Sequence, residues 1–182
     1  MYYLQQTEDG GFILAGMTTG NSGSFKDALL AKTDAQGKTE WRRTFGGDKS
    51  EEGYYALQTS AGEYILTGKA QPRDINDDDL YLIKVDATGN SLWEKTFGGS
   101  KNESGEMILA EADGSLAVLG RSDNGIYLLK TDPNGNLAWE KIIGDSTYAG
   151  DAFCQSTDEG YVITGSIFTG GLDGFLLKVR GK

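Results

Sequence analysis

Histidine is absent from this chain of 182 residues, and cysteine occurs once. The first absence removes the commonest general base, the usual neutral metal ligand and every Ser-His or Cys-His arrangement. The second excludes an internal disulfide and a thiolate zinc site. The lone Cys154 stands in the apolar stretch Ala152-Phe153-Cys154 and reads as a buried structural thiol. A reactive one would need an accessible, electropositive setting. Proline is scarce, two residues against 27 glycines. No apolar run reaches membrane-spanning length, and the start Met1-Tyr2-Tyr3-Leu4-Gln5-Gln6 is not a signal peptide. Positive charge is in deficit: 17 basic against 27 acidic residues leave −10. That balance argues against nucleic acid or an anionic membrane surface as a partner and suits a soluble, non-adhesive exterior, while the lack of a membrane-length apolar run argues against membrane insertion.

What the chain has instead is a phrase written four times. Glu8-Asp9-Gly10-Gly11-Phe12-Ile13-Leu14-Ala15-Gly16 returns as Ala61-Gly62-Glu63-Tyr64-Ile65-Leu66-Thr67-Gly68, as Asp113-Gly114-Ser115-Leu116-Ala117-Val118-Leu119-Gly120 and as Asp158-Glu159-Gly160-Tyr161-Val162-Ile163-Thr164-Gly165. Three landmarks keep step: the closing glycine (Gly16, Gly68, Gly120, Gly165), a lysine (Lys32, Lys84, Lys130, Lys178) and a tryptophan (Trp41, Trp93, Trp139). Lysine to tryptophan is nine residues each time, whereas glycine to lysine varies between 10 and 16. Short strands at such a period, with no helical periodicity, predict an all-β β-propeller. The repeats fall at about 1–47, 48–99, 100–144 and 145–182 of a single domain.

Each unit reads as four strands, A to D; in the second they are predicted at 54–59, 63–69, 80–86 and 91–97. The A–B and C–D links are tight, as at Ala61-Gly62 and Asp132-Pro133-Asn134-Gly135, with glycine supplying the positive φ of hairpin turns. Strand B is nearly all apolar, as befits a strand covered on both faces. The tryptophans alternate in phase with Phe45, Phe97 and Ile143, laying a stripe between blades, with sugar stacking as the sharper alternative.

In such a blade the tight turns share one face of the disc, and the long, variable B–C and D–A connections share the other. Loops held by a rigid scaffold usually carry binding, so the second face is the candidate surface. It is acidic. Its B–C loop at 71–79 ends Asn76-Asp77-Asp78-Asp79, which makes Asp77, Asp78 and Asp79 calcium candidates without the order of an EF-hand loop. Asp79 also aligns with Asp27 and Asp173, a recurrence that suggests support of a neighbouring backbone. Lys32, Lys84 and Lys130 each precede an aspartate by two residues (Asp34, Asp86, Asp132), which predicts a salt bridge along one strand face. Gly46-Gly47 and Gly98-Gly99 have neither the helix nor the lysine of a phosphate loop. No catalytic residue and no cofactor-binding residue is identified.

The composite of Tyr64–Gly68, Asp79–Asp86 and Gly89–Gly99 resembles a repeat of secreted or surface-displayed β-propeller proteins of bacteria and archaea. It is more distantly similar to kelch and quinoprotein-type blades. The resemblance covers essentially the whole chain and implies fold and an extracellular or cell-surface parent protein; it carries no catalytic residues and no quinone cofactor. The fourth unit has strands A to C and no D, which leaves an open edge able to pair with another chain. A four-bladed propeller with one short blade, half of a ring completed by a second copy, and a fragment of a longer protein all fit that pattern. The expected function is a non-catalytic binding or scaffold module for protein or glycan. A carbohydrate-active enzyme using loop-face carboxylates and a structural spacer are the alternatives.

Overall fold

A computed structural model of the chain describes residues 1–19, 25–71 and 77–181. Among these there is no helix. Fifteen strands follow in order: β1 (Tyr3–Gln6), β2 (Phe12–Thr19), β3 (Lys26–Thr33), β4 (Thr39–Phe45), β5 (Glu51–Gln58), β6 (Tyr64–Ala70), β7 (Asp79–Val85), β8 (Ser91–Phe97), β9 (Glu103–Ala110), β10 (Leu116–Ser122), β11 (Gly125–Thr131), β12 (Leu137–Ile143), β13 (Tyr148–Gln155), β14 (Tyr161–Phe168) and β15 (Leu172–Val179). They make four antiparallel meanders, β1–β4, β5–β8, β9–β12 and the three-stranded β13–β15. The fold is all-β and propeller-like.

The landmarks of the repeat are register marks. Lys32, Lys84 and Lys130 stand opposite Trp41, Trp93 and Trp139, and the ladder shifts by a bulge immediately after each lysine. The constant nine-residue spacing is the C–D hairpin seen in sequence. In the later three sheets the landmark glycine faces a second bulge, in strand A, at Gly53/Tyr55, Gly105/Met107 and Gly150/Ala152. A β-carbon on Gly68, Gly120 or Gly165 would strike the backbone oxygen of Glu52, Ser104 or Ala149. Bulged strands twist harder, and blades need that twist.

Three apolar cores join the four sheets. The first packs Ile13, Ala15 and Leu30 on Leu66, Tyr81 and Ile83. The second packs Ile65, Leu80 and Leu82 on Ile108, Val118 and Leu129. The third packs Leu119, Ile126 and Leu128 on Phe153, Tyr161 and Ile163. Among the described residues no core cluster joins the fourth sheet to the first. The tryptophans do lie between blades: Trp41 meets Tyr64 edge-on at 5.6 Å and its Nε1 donates to the Ala87 carbonyl at 3.1 Å. It thereby caps the C–D turn of the next sheet, and a β-carbon on Gly89 would lie 2.8 Å from its ring. Trp93 caps Gly135 in the same way, at 3.1 Å.

Several sequence expectations need correction. The second sheet's A strand begins at Glu51, three residues before the predicted 54, and those of the third and fourth sheets begin at Glu103 and Tyr148, so the D–A loops are shorter than the sequence suggests. Cys154 is exposed, because the outer face of the fourth sheet has nothing packed on it. The lysine bridges exist with other partners. Lys32 binds Asp9 at 2.7 Å and Glu40 at 3.0 Å; Lys84 binds Glu63 at 2.5 Å, Lys130 Glu111 at 2.8 Å and Lys178 Asp158 at 2.7 Å. These acids come from the A–B turn region and, for Glu40, from strand D. Asp34, Asp86 and Asp132 instead accept backbone N–H groups two and four residues on, tying their own turns.

Candidate functional site

The first strands of successive sheets lie side by side, β1 with β5, β5 with β9 and β9 with β13, and so form the inner edge of the row. At the B–C/D–A end of that edge is a cavity of about 430 Å³ lined by Tyr2, Tyr54, Glu106 and Arg121. Tyr2 and Tyr54 meet edge to face, with centroids 5.6 Å apart. The Tyr2 hydroxyl donates to Glu52 at 3.2 Å, and Glu52, buried, also takes Lys26 at 2.9 Å. Lys69 stands 4.0 Å from Glu52 and bonds Asp78 at 2.7 Å. Burial, reinforced by Glu52 and Glu106, holds the Tyr54 phenol protonated well beyond the ordinary tyrosine range, so it is a donor. Glu106 accepts from Ser104 at 2.8 Å. Arg121 is exposed, and among the described residues no ion pair or side-chain hydrogen bond holds its guanidinium. Two aromatic faces, a phenol donor, a carboxylate and an unengaged five-donor fork thus surround one space.

Two further carboxylate pairs, on strand ends, face the D–A loops. The Glu51 and Asp27 oxygens both lie within 2.6 Å of where a Gly46 β-carbon would be; Glu103 and Asp79 crowd Gly98 in the same way. A β-carbon at either glycine would displace these carboxylates. Glu51 accepts the Gly47 N–H at 3.2 Å and Glu103 the Gly99 N–H at 3.2 Å. Burial, with Asp27 and Asp48 nearby, pushes Glu51 up to about 7 against the pull of the Gly47 N–H. Burial, with Glu103, also raises Asp79, whose buried Oδ1 has no hydrogen-bond partner among the described residues. Glu51 opens with Gly46, Tyr81 and Glu94 onto a cavity of about 260 Å³. The Tyr81–Glu94 hydrogen bond recurs as Tyr127–Glu140. A device made twice at successive blade joints is a property of the joint. Sequence reading missed it, although its signal was present: glutamate follows the first glycine of Gly46-Gly47 and Gly98-Gly99 by five residues both times.

A cavity of about 690 Å³ is on the opposite face, beside Trp139, Glu111, Lys130, Asp158 and Arg180. At the two preceding joints the corresponding ground is filled by the next sheet's C–D turn, capped by Trp41 or Trp93. Here Lys141 spans it, donating to the Arg180 carbonyl at 2.8 Å and lying 4.9 Å from the Trp139 ring centroid.

Asp78 is taken by Lys69, Asp79 faces Gly98 and Glu103, and Asn76 lies outside the described residues, as do 20–24 and 72–75 of the first two B–C loops. Among the described residues no group of three acidic or sulfur ligands is placed to hold a metal. The backbone support expected of Asp27 and Asp79 comes from their partners Glu51 and Glu103; Asp173 is exposed in β15.

The sequence matches no protein-family model, and no curated protein matches it. Solved structures do resemble the fold. A protein assigned as an exo-β-1,3-galactanase from Bifidobacterium bifidum aligns with a TM-score of 0.56 at 17% identity, over 91% of this chain and 61% of that one. MPT-4, a mannose phosphorylase from Leishmania mexicana, aligns with a TM-score of 0.55 at 12% identity, over 98% and 66%. BamB from Moraxella catarrhalis aligns at 0.32 and 12% identity, over 98% and 84%. The chain therefore spans less than two thirds of the first two structures, and the likeness is one of fold.

Proposed function

We propose that this chain is a non-catalytic binding module, part of a β-propeller in an exported or cell-surface protein, that takes a glycan or protein ligand at the inner-edge mouth of its B–C/D–A face. The observation that carries the reading is the cavity of Tyr2, Tyr54, Glu106 and Arg121. Its mixture of aromatic faces with hydrogen-bond donors and an acceptor suits the polar edges and apolar faces of a sugar, and so favours the glycan. Two structures that share the fold are named for action on a galactan and for mannose phosphorolysis, a precedent for saccharides on this scaffold. The resemblance to secreted propeller repeats supports the location. No cofactor is required, and calcium at Asp77–Asp79 would have to displace Lys69 from Asp78. Screening the purified chain on a glycan array, followed by titration calorimetry, tests the proposal. Arg121→Ala or Tyr54→Ala should weaken the selected ligand at least about tenfold, which is about 1.4 kcal/mol. Failure of both substitutions to weaken it would remove the cavity from the proposal, and a blank array would leave the protein ligand or the spacer.

One observation favours the enzyme reading: Glu51, raised to about 7, opens on the same cavity as Glu94. A carboxyl so raised is a general acid at neutral pH. Release of the leaving group from aryl glycosides, abolished in Glu51→Gln, is the outcome it needs. The recurrence of the arrangement at Glu103 favours the structural role instead.

A further inference from the structure

The two ends of the row of sheets carry complementary unused faces. Two residues before the landmark lysine stand Leu30, Leu82, Leu128 and Leu176. The first three are 0% exposed and each packs on the following sheet, whereas Leu176 is 75% exposed. Its neighbours across the fourth sheet's outer face, Leu172 and Phe168, are exposed as well. At the other end, opposite the position two before the landmark glycine, stand Leu4, Ala56, Ile108 and Phe153. Ala56, Ile108 and Phe153 are buried against the preceding sheet, and Leu4 is 55% exposed. Phe12 and Leu14 are half-buried, while their counterparts Tyr64 and Leu66, Leu116 and Val118, and Tyr161 and Ile163 are buried.

We infer that a second copy of this chain docks head to tail, its first sheet on the outer face of the fourth. Three internal joints already show which side chains meet when one blade follows another, and Leu4, Leu172 and Leu176 present the same positions to solvent at the end faces, while Leu29 and Ala31 on the first sheet's face are buried within that sheet. Such a contact is heterologous, and two copies joined through both ends close a ring of eight sheets. The open edge of β15 alone would give a different dimer, with the two β15 strands side by side and both copies contributing the same face. The inference is independent of the glycan proposal, since neither face includes the Tyr54 and Arg121 cavity.

Light scattering across a concentration series, with two variants, tests it. The unaltered chain should show twice the monomer mass. Leu176→Glu and Leu4→Glu, each at an exposed position that leaves the internal cores untouched, should both be monomeric, with unchanged circular dichroism. Mixed together they should recover a dimer, because the tail of Leu4→Glu and the head of Leu176→Glu remain intact. A monomer at about 100 µM for the unaltered chain overturns the inference and leaves the faces to further blades or another protein. A dimer that survives both substitutions, or variants that do not rescue each other, overturns it equally.

Discussion

Glu51 shows how a residue's setting decides its chemistry. Its carboxyl is buried at a joint between sheets, next to Asp27 and with a single backbone N–H to bond, so its charged form is disfavoured. In the unfolded chain it titrates near 4.5 and in the folded one near 7. A folded pKa above the unfolded one means stability that is complete below about pH 4.5 and lost as pH rises toward 7. Glu51→Gln should flatten that part of the curve and leave the variant more stable than its parent at pH 8. The difference is on the order of 3 kcal/mol at most, at 1.36 kcal/mol per pK unit. Urea midpoints at pH 4 and pH 8 measure it, and equal midpoint differences at both would show that the charge is not the cause. The acid side has the opposite sign. Asp86, held near 2 by its turn's N–H and hydroxyl donors, gives stability present above its unfolded pKa and lost as pH falls. Residue spacing made the recurrence of acids and lysines legible but not their partners. Lys32 and Asp34 do share a strand-face spacing, yet Asp34 is engaged by the N–H groups of Gln36 and Lys38, and Lys32 reaches Asp9 and Glu40. Which of two nearby carboxylates a lysine takes depends on a competition with backbone donors that spacing does not record.

At the level of the strand and turn, legibility was high wherever the backbone itself imposes a residue. The C–D turns were readable from glycine because Gly37, Gly89 and Gly135 all have positive φ, at 82°, 84° and 76°. What the sequence could not separate is the turn's neighbourhood. Gly37 has nothing within 4 Å of a would-be β-carbon, while that of Gly135 would lie 3.1 Å from Trp93. Gly37→Ala should therefore cost only the backbone term, about 1–2 kcal/mol for a left-handed residue. Gly135→Ala should cost more, because Trp93 must also give way. Denaturation of both variants under one condition compares them; equal losses would mean that the tryptophan cap is soft. The start of the A strands was illegible for a related reason. Glu51, Glu52 and Glu103 are polar and read as loop, yet Gly47, Gly99 and Lys26 satisfy them, which permits paired backbone to continue under acidic side chains.

For the molecule as a whole, the repeat predicted the row of sheets, but it could not say that three cores serve four of them. Stacked repeats draw much of their stability from neighbours, so a sheet with one joint is weaker than a sheet with two. The middle sheets, β5–β8 and β9–β12, each contribute to two cores, and the fourth contributes to one, with an alternating exposed face on β15. Hydrogen exchange should therefore be graded at low protein concentration: amides of β14 and β15 open first, those of β6, β7, β10 and β11 last. The first sheet also has a single joint, yet Leu29 and Ala31 on its leading side are buried within it, and it should rank between the two. Raising the concentration adds a second reading of the same amides. Head-to-tail docking covers Leu176 and Leu172 and gives the fourth sheet a second joint, so protection of β14 should rise in proportion to the dimer and not in Leu176→Glu. Uniform exchange across all four sheets at low concentration would mean that the chain folds as one cooperative body, and that the end faces carry no penalty for a partner to relieve.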